Sequence, residues 1–211
     1  MMFSTYTANA LLNSMFGKTS NFGALASAPA IYLALFKSGG STEVSGGSYV
    51  RKQTAAADWN AAANGLIDNA NDLSFPEATA DWGEITDVKI YDAASAGNLL
   101  AEAPLVAGSS RRAFVADAGN ETLTIPNHGF ATNDKVRVFG ANLPGGLSAG
   151  ADYFVVNAAA DTLELSTSQG GAAVNITSDG YGIIAKTAYQ TIVTGNTVRF
   201  AAGDLDVQLT Y

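Results

Sequence analysis

The sequence predicts a mainly β chain, an antiparallel β-sandwich domain with a short N-terminal helix, into which a small all-β domain is inserted. Three observations carry that prediction. Apolar runs are short and bounded by Gly, Pro, Asn and Asp, the punctuation of hairpins rather than of helices. The last segment alternates with period two, Leu205, Val207, Leu209 and Tyr211 falling on one face and Asp204, Asp206, Gln208 and Thr210 on the other, as a strand with one wet face requires. Between residues 112 and 186 strand and turn signals become denser than on either side, which marks a stretch of separate character.

Helical spacing stands at the start, where Ala8, Leu11, Leu12 and Met15 fall at i, i+3, i+4 and i+7, with Thr5 or Thr7 placed to cap the segment and Gly17 to end it. The run 31–36 after Pro29 is apolar throughout and closes on Ser38-Gly39-Gly40, the pattern of a fully buried strand. Further strands are expected over 49–54, over 66–75 with Pro76 closing it, over 85–91 and over 99–102. In the denser stretch the strands are 113–115, 122–125, 135–139, 153–157, 162–165, 175–177 and 183–186, separated by turns such as Pro126-Asn127-His128-Gly129 and Ser178-Asp179-Gly180. The domain division that follows is 1–111 with 187–211 as an attachment domain and 112–186 as an insert projecting outward. The flanks 105–110 and 187–195 lead back to strands that complete the first sheet.

Composition excludes several kinds of chemistry. The 211 residues include no cysteine, so a disulfide framework, a Cys-ligated zinc, a CxxC redox pair and a thiol nucleophile are all ruled out. Charged residues are 14% and glycines number 22, giving a turn-rich chain of small side chains. A net charge of -8, with 11 scattered Lys and Arg, speaks against nucleic acid and anionic membrane as partners, because phosphate neutralisation needs clustered cations. The start, MMFSTYTANALLNSMFGK, has no basic region before its apolar stretch, so no signal peptide is expected. The long uncharged span 19–36 contains Ser20, Asn21, Gly23, Ser27 and Pro29 and reads as loop plus buried strand rather than a membrane span.

Catalytic and metal motifs are weak. The single histidine, His128, sits in a turn, no GxSxG elbow accompanies Ser109 or Ser110, and a general base without a nucleophile and an orienting carboxylate has no task. Asp117-Ala118-Gly119-Asn120-Glu121 lacks the ligand order of a calcium loop and has the composition of a β-turn. Asp58, Asp72, Asp81, Asp87 and Asp92 fall at strand ends or on wet faces. Trp59 and Trp82 read as core anchors; a carbohydrate-binding module would instead expose them, with Tyr49 and Tyr181, as a stacking platform. No cofactor is implied. The helix places Phe3, Tyr6, Leu11, Leu12, Met15 and Phe16 on one short element, more apolar surface than remains in water, so these six are the candidate partner-contact residues.

A resemblance accompanies these readings. Leu11-Leu12-Asn13, the run 28–36, Thr42-Glu43-Val44-Ser45-Gly46-Gly47-Ser48-Tyr49-Val50-Arg51, Phe75-Pro76-Glu77, Asp81-Trp82-Gly83, Ile90-Tyr91-Asp92-Ala93, Gly97-Asn98-Leu99-Leu100 and the run 195–205 are similar to a family of tailed-bacteriophage virion proteins often labelled tail fibre proteins. The likeness covers most of 5–105 and 190–211, and the insert resembles a β-module recurrent in phage structural proteins, through Ile125-Pro126-Asn127-His128-Gly129-Phe130 and Leu143-Pro144-Gly145-Gly146-Leu147. The resemblance implies a non-enzymatic structural component of the virion, assembled in the host cytoplasm. Because no segment reads as a coiled-coil or collagen-like shaft, the expectation within that class is a capsid decoration or cement protein. It would bind the major capsid protein and copies of itself, as a trimer. The alternative is a tail fibre or baseplate component that contacts the host surface.

Overall fold

The computed structural model describes residues 5–18 and 30–208. The chain is mainly β and antiparallel, with one N-terminal helix, as the sequence predicts. The elements are α1 (Thr5–Met15), β1 (Ile31–Lys37), β2 (Thr42–Glu43), β3 (Lys52–Thr54), β4 (Leu66–Asp68), β5 (Leu73–Ser74), β6 (Gly83–Ile85), β7 (Asp87–Tyr91) and β8 (Leu99–Pro104). There follow β9 (Arg112–Asp117), β10 (Thr122–Thr124), β11 (Lys135–Phe139), β12 (Asp152–Val156), β13 (Thr162–Ser166), β14 (Gly180–Lys186), β15 (Gln190–Ile192), β16 (Arg199–Phe200) and β17 (Asp206–Gln208). Two compact units result, Met1–Ala103 with Thr191–Tyr211, and Pro104–Gln190.

In the first unit β1 is the centre of a five-stranded sheet, ordered β2-β1-β7-β8 with β3 also on β1. Leu33, Ala34 and Leu35 are fully buried, which explains why the run carries no polar alternation. Three two-stranded ribbons, β15-β6, β16-β5 and β17-β4, bring the C-terminal segment back onto strands of the first hundred residues. The single strand expected over 66–75 is broken into β4 and β5 by Asn69, whose side chain is fully buried. Asn69 Oδ1 accepts from Leu205 N at 2.8 Å, and Nδ2 donates to the carbonyls of Asn71 and Ala201, both at 2.8 Å. The amide thus ties the local turn at Asn71 to the distant 201–205 segment and breaks the strand there. Of the alternating C-terminal pattern, Leu205 is buried and Asp206 and Gln208 are exposed as expected, while 209–211 lie outside the described residues.

Helix α1 ends before Gly17, which takes φ 73°, the left-handed turn that suits glycine after a last helical residue. Thr7 lies inside the helix and Thr5 is its first residue, so neither is a cap, and the cap position falls outside the described residues. Ala8, Leu12 and Phe16 point into the unit's own core. Phe16 meets Trp59 edge-on at 4.3 Å between ring centroids, while Asn13 Oδ1 accepts from Ala62 N at 2.7 Å and Asn9 Oδ1 from Gly65 N.

The second unit is a closed barrel in the order β10-β13-β12-β11-β14-β9. Closure pairs every strand on both sides and leaves no ladder edge open. Inward residues such as Phe114, Leu123, Val136, Val155, Leu163 and Ile184 fill it. The strand expected over 175–177 does not form. Val174 N donates to Leu165 O and Thr177 N to Gly145 O, so this segment divides its backbone between two neighbours while Ile176 plugs the core. The flanks pair with each other before β15 reaches β6: Ala107 N donates to Lys186 O and Ala188 N to Leu105 O, each at 2.9 Å, around a Val106–Thr187 bridge.

We propose that this barrel is an autonomous module. Replacing 112–186 by a short Gly/Ser linker is expected to leave a remainder that unfolds cooperatively in urea. Loss of a cooperative transition in the remainder would show that the two units share one core.

Candidate functional site

The residues that carry the family resemblance converge inside the first unit. Arg51, just ahead of β3, donates from Nε to Glu43 Oε1 and from Nη2 to Oε2, both at 2.8 Å. Its Nη1 donates to the carbonyls of Ala93 at 2.9 Å and Ala96 at 2.8 Å. The guanidinium also lies 3.9 Å from the centroid of the Tyr91 ring. A planar fork with five donors serves a carboxylate, two carbonyls and an aromatic face at once, which an ammonium cannot do. The result is a clasp that ties β2 and the 44–51 loop to the turn that follows β7.

Both loops are shaped to be held. In the turn, Asp92 accepts from Asn98 N at 2.7 Å and from Asn98 Nδ2 at 2.8 Å, bonds that hold its carboxyl below the usual range. Gly97 takes φ 79°, and a Cβ there would fall 2.6 Å from Ala93 Cβ. In the 44–51 loop, the Gly47 carbonyl accepts from Trp82 Nε1 and from Thr79 N, both at 3.0 Å. A Cβ on Gly47 would come within 2.9 Å of Ala80 N, so only glycine allows that approach.

Tyr49 joins the clasp to the aromatic core. Its hydroxyl donates to Glu43 Oε1 at 3.1 Å and accepts from Leu35 N at 3.0 Å. Its ring stacks on Phe75 at 6.1 Å and meets Trp82 edge-on at 5.5 Å, and Phe75 in turn meets Phe200 at 6.5 Å. Burial pushes the Tyr49 phenol well above its ordinary value. The hydrogen bond from Arg51, opposed by partial burial, holds Glu43 below the ordinary carboxylate range.

That direction has a consequence in acid. A carboxyl whose folded pKa is depressed contributes stability above its unfolded value, about 4.3 for Glu, and that contribution is lost as pH falls through the folded value. Urea unfolding at pH 7 and pH 3 is expected to show the first unit losing stability on acidification, with Glu43→Gln starting lower at pH 7 and losing less. Equal acid sensitivity in the two proteins would remove Glu43 from the account.

The six candidate contact residues divide. Phe3 lies outside the described residues. Leu12 and Phe16 are buried in the chain's own core and Met15 is half-buried, while Tyr6 and Leu11 are 56% and 38% exposed. The helix therefore docks on its own unit, and the outward surface narrows to Tyr6 and Leu11. The tryptophans are core anchors, each 1% exposed, with Trp59 Nε1 donating to Thr54 Oγ1 at 3.0 Å. Neither is open to a sugar ring. Of the four aromatics considered for such a platform, Tyr49 is half-buried and Tyr181, in the barrel, is exposed.

Titratable groups in the barrel are engaged in its own backbone and side-chain hydrogen bonds. His128 is buried; Phe130 N donates to Nδ1 at 2.9 Å, which leaves Nε2–H to donate to Ala159 O at 2.8 Å. Both ring nitrogens are thus engaged. Asp117 accepts from Gly119 N at 2.7 Å and Asn120 Nδ2 at 2.6 Å, and Asp179 from Ala118 N at 2.9 Å. Burial alone would raise Asp152, but bonds from Tyr189 Oη at 2.6 Å, Arg137 Nε at 2.9 Å and Lys135 Nζ at 3.2 Å outweigh it and hold the carboxyl low. Among the described residues no group of three or more His, Asp or Glu side chains is placed to hold a metal ion. Among the described residues no helix is long and apolar enough to cross a membrane.

The residues of the resemblance serve packing, the clasp and turns, the arrangement of a structural β module. The chain is a member of the podophage GP4 fiber I protein gp80 family, whose profile matches residues 2–122, and so a virion protein of tail fibre type. The matched span runs from α1 through the sheet strands and β9 to the first residue of β10, so it includes the clasp and the opening of the barrel. The 195–205 run lies beyond it. Comparison with curated proteins gives no match.

Proposed function

We propose that the chain is a fibre component of a tailed-phage particle, assembled in the host cytoplasm, which works by binding and without catalysis. The observation that carries this reading is the family match over 2–122, described as a fiber protein. Two features support it: the Arg51 clasp ties the loops of the first unit together, and the second unit is a closed barrel without open strand edges. In this reading the first unit anchors the chain in the particle and the barrel contacts the host surface.

Capsid decoration, with the major capsid protein as partner, remains the competing assignment within the same class. Electron cryo-microscopy of the parent particle labelled with an antibody to the chain separates the two. Label on the tail is the expected result, and label distributed over the head lattice would transfer the protein to the decoration class.

A further inference from the structure

We propose that the outer face of β9 and β14 on the barrel is where two copies of this chain meet. The proposal rests on the reading of the chain as a virion component present in several copies, and it adds the surface and the symmetry of the contact. Outward positions of a small closed barrel are ordinarily polar. Here Val115, Tyr181 and Ile183 are 63%, 60% and 43% exposed. They are three of the eight large apolar side chains that stand exposed among the described residues, and they lie together: Tyr181 is directly opposite Val115, and Ile183 opposite Ala113.

The face is also held in place. Tyr181 N donates to Asn142 O at 2.9 Å, and the Asn142 amide donates to the Tyr181 hydroxyl. Gly182 beside it is obligatory, since a Cβ there would fall 2.6 Å from the Phe139 carbonyl. An aromatic ring fixed before contact loses little freedom on binding.

Charge selects the occupant. The unit Pro104–Gln190 carries five basic and seven acidic residues, against six and twelve in the rest of the chain. Two copies that approach by the barrel therefore meet the least mutual repulsion. Along β9 and the residue before it the outward row reads Arg111, Ala113, Val115, Asp117, with both charged residues exposed. A two-fold axis through the middle of this row sets Arg111 of each copy against Asp117 of the other and the apolar residues between them. Such a self-complementary face gives an isologous pair, and not the trimer expected from the sequence.

Sedimentation of the full chain tests this. The wild type is expected to be a dimer whose affinity falls with added salt. Val115→Glu, Tyr181→Lys and Arg111→Glu should each weaken it at least about tenfold with an unchanged melting temperature. Should a charged variant fail to fold, Val115→Thr and Tyr181→Ser are expected to show the same weakening. A monomer at the highest soluble concentration, a trimer, or variants that associate like the wild type would each overturn the proposal. None of these results touches the fibre reading, which particle labelling tests separately.

Discussion

Leu12→Asp is expected to unfold the unit of Met1–Ala103 and Thr191–Tyr211 at ambient temperature. Leu12 is fully buried, on the helix face that also carries Ala8 and Phe16. Truncating a buried leucine costs about 2–5 kcal/mol, and an unpaired carboxylate in the same place adds a desolvation penalty of several kcal/mol more. The sum rivals the whole stability of an ordinary domain, roughly 5–15 kcal/mol. Circular dichroism and urea titration would read the loss. Leu11→Asp is the control, because Leu11 is 38% exposed, and it is expected to leave the fold standing. A Leu12→Asp protein that melts like the wild type would mean that the helix does not dock on its own unit.

Arg51→Lys is expected to destabilise the same unit by about 2 kcal/mol, although charge is conserved, because hydrogen bonds to a charged group in a partly buried site each contribute on that order. The lysine keeps one attraction to Glu43. It loses the bidentate geometry, the bonds to the Ala93 and Ala96 carbonyls and the stack on Tyr91. Those carbonyls and the second Glu43 oxygen are left to find water or remain unpaired. Urea unfolding with the midpoint followed by tryptophan fluorescence measures it, since Trp82 abuts Tyr49 at the clasp. A shift below half a kcal/mol would make the clasp ornamental.

The parts of the fold that rest on local pattern were legible in the sequence. The unbroken apolar run 31–36 is the central strand β1 because a strand buried on both faces needs no alternation. The dense strand and turn signals from 112 onward correspond to a barrel with its own core. Closure itself was not legible, because β9 meets β14 across more than sixty residues and nothing local encodes that pairing. Asn69 was hidden for a similar reason. The local pattern runs one strand through it over 66–75, and only the Leu205 and Ala201 backbone makes it a buried hub. The clasp was half visible. Glu43, Tyr49 and Arg51 stood in the motif carrying the resemblance, yet their convergence with Tyr91 depends on the β1–β7 register. The helix shows the limit of periodicity: it marked an apolar face correctly but could not say whether that face turns to a partner or to the chain's own core.

The number of copies per particle decides the fibre reading, and quantitative mass spectrometry of purified parent particles measures it. A fibre component follows the symmetry of the tail, so a ratio to the major capsid protein of roughly a few per hundred is expected. A ratio on the order of one to one, following the symmetry of the shell, would contradict it and make the chain a capsid decoration protein.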